Sequence, residues 1–107
     1  MNIIESTSNG VSVITIEGIL NAASSPRLKK HFEESVNDKP VIINLEHVEF
    51  IDSSGLGILV SLARKKKAQN SDLKLANMNN RVKRVFEITQ AYSLFDIYDD
   101  VSAAAGK

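Results

Sequence analysis

The chain has no cysteine, so neither a disulfide framework nor thiol chemistry is open to it. It has no excess charge of either sign, since thirteen Lys and Arg balance thirteen Asp and Glu. That balance argues against nucleic acid or a membrane surface as the main partner, because both leave a basic surplus. The longest apolar-rich run, "GLGILVSLA", falls well short of the roughly 20 residues that a membrane-spanning helix needs. "MNIIESTSNG" lacks a basic start followed by an apolar stretch, so no signal peptide is expected. There is no P-loop, and the pair Gly55 and Gly57 lacks the third glycine and downstream acid of a dinucleotide site. No His or acidic cluster has metal-ligand spacing, so no cofactor is expected. Repeats, low-complexity tracts and linkers are also missing, and the 107 residues read as one domain, 1–107. These absences fit a cytoplasmic protein.

What is present alternates between strand and helix signals. "VSVITIEG" (11–18) has period-two alternation rich in β-branched residues, and "NIIE" before it reads as a hairpin partner joined through "STSNG". A loop then leads to a helix with Ser25 as N-cap, Pro26 at the first helical position, and Leu28, Phe32 and Val36 on one face. "PVIINL" (40–45) is a continuous apolar run, as expected of a central strand buried on both faces. "SGLGILVSLARKKKAQ" is the second helix, with Leu56, Leu59, Val60 and Ala63 on one face and Ile58 and Leu62 widening the arc. "DLKLAN" is a strand, "NRVKRVFEIT" a helix with Val82, Val85 and Phe86 inward, and "LFDIYD" a last strand. "VSAAAGK" reads as a frayed final turn. The alternation implies parallel crossovers and an α/β domain: a mixed, mostly parallel sheet with an N-terminal hairpin and about four helices.

"FIDSSGLG" (50–57) stands where a buried strand hands over to the second helix. Ser53 or Ser54 falls at the helix N-terminus, where free N–H groups and the dipole favour an anion. Two readings compete here. Asp, Ser and Gly at such a junction are ordinary capping chemistry. The same residues also suit a phosphoacceptor, since the N-terminus tolerates a phosphate while Asp52 and Glu49 repel it. A serine nucleophile fits poorly, because "DSSGLG" is not the G-x-S-x-G elbow and His31 and His47, the available bases, read as solvated. "RKKK" (64–67) reads as a solvated helix end whose cations suit the dipole.

"VIINLEHVEFIDSSGLGILVSLARKKK" strongly resembles the STAS domain family, in particular the bacterial anti-sigma factor antagonists. "VSVITIEGILNAASSPRLK" and "LKLANMNNRVKRVFEITQAYSLFDIYDD" extend the resemblance over nearly the whole chain. It implies a partner switch and no enzyme. The unphosphorylated form binds a serine kinase of the histidine-kinase-like ATPase fold, an anti-sigma factor, which then releases the regulator it sequesters. Phosphorylation of Ser53 ends the complex, and a metal-dependent serine phosphatase reverses it. The resemblance makes Asp52 and Ser54 shape the surroundings of Ser53, lets the helix start pack close at Gly55 and Gly57, and places kinase contact at Gly57, Val60 and Ser61. One departure is "GILN", where Ile19 and Asn21 stand at positions at which the family commonly has an acidic residue and an Asp; Asn21 keeps hydrogen-bonding capacity and loses charge. A monomer is the simpler expectation. The rival reading is an accessory STAS subunit of a transporter or lipid-transport complex that is never phosphorylated.

Overall fold

The computed structural model describes residues 1–35 and 39–106. Asn9 and Gly10 take positive φ, 52° and 79°, forming the kind of turn whose twist matches the strands it joins. It links β1 (Asn2–Ser8) to β2 (Val11–Leu20), in register from Asn2 opposite Glu17 to Ser8 opposite Val11. "STS", expected in the turn, is therefore strand, because two residues suffice to reverse the chain.

The order continues α1 (Ser25–Ser35), β3 (Val41–Asn44), β4 (Val48–Ile51), α2 (Ser53–Ala68), β5 (Leu73–Ala76), α3 (Asn80–Thr89), a 3-10 turn (Ala91–Leu94), β6 (Asp96–Tyr98) and α4 (Val101–Ala105). The sheet runs β1-β2-β3-β5-β6, antiparallel only between β1 and β2. The architecture is the mixed, mostly parallel α/β sheet with an N-terminal hairpin and four helices that the sequence implied. One strand was not separately expected. "VEFI" forms β4, which pairs parallel with β2 beyond the stretch that β3 occupies. β2 is ten residues long and β3 only four, so β2 has backbone left to pair a second neighbour. Gly18, with φ 99°, lies where the register with β4 shifts; the positive φ is one that glycine adopts without strain.

Side chains alternate across the sheet. Ile14, Ile16, Val41, Ile43 and Leu75 face the main core with Leu28 and Phe32 of α1, Leu56, Leu59 and Leu62 of α2, and Val82 and Phe86 of α3. Val13, Ile42 and Ala76 face the other way and meet Ala104 and Ala105. β3 is thus buried on both faces, as its apolar run implied, with Val41, Ile42 and Ile43 all at 0% exposure. The expected frayed C-terminus is instead the docked helix α4, capped by Asp100, whose Oδ1 accepts the Ala103 N–H at 2.7 Å. α1 begins at Ser25 rather than being capped by it, and Ser25 Oγ donates to Asn21 O at 2.6 Å. Val36, expected on its inner face, lies outside the described residues.

Candidate functional site

α2 starts one residue after β4 ends, and that residue, Asp52, is the cap. Its backbone is extended (φ −107°, ψ −174°), its Oδ1 accepts the Gly55 N–H at 2.8 Å, and its carbonyl accepts the Leu56 N–H at 2.9 Å. Its own N–H donates to Leu20 O at 3.3 Å, which ties the junction to the end of β2. Sequence reasoning left the capping serine open between Ser53 and Ser54; neither is the cap. Both are exposed, in the first turn, and neither hydroxyl makes a hydrogen bond among the described residues. The first-turn N–H groups and positive helix end lie beside them, and the first turn holds no acid.

The two glycines differ. A Cβ on Gly55 would stand 2.2 Å from Leu20 O and 3.0 Å from Ile51 Cγ1, so only a bare Cα lets α2 sit on the end of β2. A Cβ on Gly57 would meet nothing within 4 Å. The expected close packing therefore holds at Gly55 alone, because the helix turns Gly57 outward. Its missing side chain forms the floor of a hollow of about 450 Å³ lined by Ser53, Leu56, Gly57, Val60, Ser61 and Arg64. The expected contact residues Gly57, Val60 and Ser61 thus share one stripe with Ser53, at helical spacing of three and four residues. Arg64 completes that stripe and was missed; its place in the same spacing was the available signal. The basic run after it is not uniformly solvated. Lys66 is 3% exposed and its Nζ donates to Lys39 O at 2.6 Å.

Asn21 lies in the loop after Leu20 and organises that loop rather than pointing a charge outward. Its Oδ1 accepts the N–H groups of Ala23 at 3.0 Å and Ser24 at 3.1 Å, while Ser24 Oγ donates to Ile19 O at 2.8 Å. An amide oxygen does this as a carboxylate would, so the loss of charge leaves the turn intact. His31, read as solvated, has a side chain only 21% exposed, with Nε2 3.1 Å from Glu5 Oε1 on β1. It belongs to a different face. Among the described residues no group of three or more His, Asp or Glu could hold a metal ion, and no helix is long and apolar enough to cross a membrane.

The profile of the STAS domain family matches residues 2–104. This chain belongs to the STAS domain family. It is 26% identical over 99 residues to the anti-sigma-B factor antagonist of Staphylococcus aureus, covering 91% of this chain and 92% of that one. A crystallised Thermotoga maritima protein superposes with a TM-score of 0.86 at 27% identity, covering 97% of this chain and 92% of that one. The anti-sigma factor antagonist SpoIIAA has the same fold at 20% identity: its unphosphorylated form gives a TM-score of 0.69 over 97% of this chain and 94% of its own. Its phosphorylated form from Bacillus gives a TM-score of 0.63 at 18% identity, with 96% of each chain covered.

Proposed function

We propose that this STAS domain is an anti-sigma factor antagonist, a cytoplasmic monomer that switches partners through phosphorylation of Ser53. The observation that carries the reading is that Asp52 performs the capping, which leaves the Ser53 hydroxyl exposed and without a hydrogen bond among the described residues, at the rim of a hollow that holds no acid. The name of the Staphylococcus aureus relative supports the antagonist role. A phosphorylated form of SpoIIAA, on the same fold, supports a phosphate as the signal.

In the unphosphorylated state the stripe of Gly57, Val60 and Ser61 receives a serine kinase of the histidine-kinase-like ATPase fold, which releases its sequestered regulator. Ser53 Oγ then attacks the γ-phosphorus of ATP bound to the kinase. The Oγ–P bond forms as the bond to the bridging β-phosphate oxygen breaks, ADP departs, and the hydroxyl proton passes to a base on the kinase. Ser53 is thus a substrate in another protein's active site. The phosphoserine brings a charge of about −1.5 to −2. At the first helical position the dipole favours that charge by roughly 0.3–1 kcal/mol, so α2 persists. Among the described residues Arg64 is the one charged residue lining the hollow, so phosphorylation takes the hollow from about +1 to between about −0.5 and −1. A partner surface matched to the positive, unphosphorylated hollow meets a reversed field, and like-charge juxtaposition at an interface costs several kcal/mol. A metal-dependent phosphatase transfers the phosphoryl group to water and restores the hydroxyl. Tandem mass spectrometry of the protein recovered from its own cells tests this. Phosphate is expected on Ser53; phosphate at other serines with Ser53 bare counts against it.

A further inference from the structure

A second surface lies away from the α2 hollow and shares no lining residue with it. Between β4 and α3 runs a groove of about 600 Å³, with Phe50, Ile51, Val85 and Ile88 as its large apolar side chains. Phe50 is 53% exposed and Ile88 76%, and Ile19, which pairs with Phe50 across the β2–β4 ladder, is 45% exposed. Apolar groups this large, clustered at one place on a small domain, mark a contact surface rather than scattered exposure. β4 pairs with β2 and no other strand among the described residues; the Val48 N–H and carbonyl are taken by Leu45 O and Asn79 Nδ2, so a further strand can approach its outer edge only beside Phe50. Arg81, Lys83 and Arg84 of α3 line the groove against two acids, Glu49 and Glu87, and none of the three cations is in an ion pair among the described residues.

These features select one occupant. We infer that the β4–α3 groove binds an extended segment of a protein partner in which apolar residues alternate with acidic ones. Period-two alternation presents one set of side chains to the groove floor and the other to its rim. Apolar groups cover Phe50, Val85 and Ile88, acidic groups meet Arg81, Lys83 and Arg84, and the backbone runs along β4 beside Phe50. Because the groove is separate from Ser53, this partner stays bound while the α2 hollow gains or loses a phosphate.

The test is selection of random short peptides displayed on phage against the full chain, followed by affinity measurement of the enriched peptides at low and high salt. Peptides with alternating apolar and acidic residues are expected. Ile88→Asp should weaken them about tenfold or more. Arg84→Glu should do the same and flatten the salt dependence, while Ser53→Asp leaves affinity unchanged. Ile88 and Arg84 are exposed, so both variants should retain the fold, checked by their thermal midpoints. Enrichment of peptides without acidic residues, binding unmoved by Ile88→Asp, or no enrichment at all overturns the inference. Loss of binding in Ser53→Asp would show that the two surfaces are one, which also overturns it while leaving the switch itself standing.

Discussion

Alanine at Gly55 and alanine at Gly57 should shift stability in opposite directions, although the two positions are two residues apart on one helix. In a helix interior, Gly→Ala is worth up to about 1 kcal/mol of propensity. At Gly57 nothing lies within 4 Å of the new methyl, so that gain arrives unopposed, about 0.5–1 kcal/mol. At Gly55 the methyl would stand 2.2 Å from Leu20 O and 2.9 Å from Leu20 C. Both are backbone atoms of a fully buried residue, so the helix must move instead. Overpacking of this kind costs about 1–3 kcal/mol. Moving α2 also strains the 2.8 Å Asp52–Gly55 cap, worth about 1 kcal/mol. Gly55→Ala should therefore be destabilised by roughly 2 kcal/mol after its propensity gain, using the same scales. Urea titrations followed by circular dichroism measure both variants against the parent chain. A Gly55→Ala variant as stable as Gly57→Ala, or more so, would show that Leu20 O does not exclude a side chain at position 55. The same pair separates folding from binding, because Gly57→Ala fills the floor of the hollow and should weaken kinase binding in a more stable protein.

Ser53→Ala should change stability by no more than about 0.5 kcal/mol, as for a surface site without a cap; a larger loss in chemical denaturation would make the hydroxyl structural. Asp52→Ala should cost about 1 kcal/mol in the same assay, since it removes the cap of α2. Asn21→Asp should be nearly neutral for stability, because the acceptor oxygen for Ala23 and Ser24 remains, while changing kinase affinity if the loop meets the kinase. Asp100→Ala should cost about 1 kcal/mol and speed amide exchange in α4, whose cap bond to Ala103 it removes.

Much of the fold was legible because its signals are local. Asn9-Gly10 specifies a tight turn, "VIIN" specifies a strand covered on both faces, and Val82 with Phe86 specifies the buried stripe of α3. What stayed hidden depended on neighbours distant in sequence. β4 exists because β2 outruns β3, a comparison between strands that no short window contains. The difference between Gly55 and Gly57 depends on where Leu20 O lies, and the burial of Lys66 depends on Lys39 O, 27 residues away. In the α2 hollow, helical spacing made Leu56 and Val60 legible, and Ser53, Gly57 and Ser61 came with the resemblance to STAS domains; Arg64 was absorbed into its basic run. The Phe50–Ile88 groove joins residues from β4 and α3 that only the tertiary fold brings together.

On the proposed function Ser53 serves as a signal and not as a structural cap. The most direct measurement is a pull-down from lysate of the native cells with the parent chain, Ser53→Ala and Ser53→Asp as baits, with partners identified by mass spectrometry. An ATPase-fold serine kinase is expected to be retained by the Ala bait and lost from the Asp bait. Recovery of the same transport-complex subunits by all three baits, with Ser53 unmodified, would contradict it.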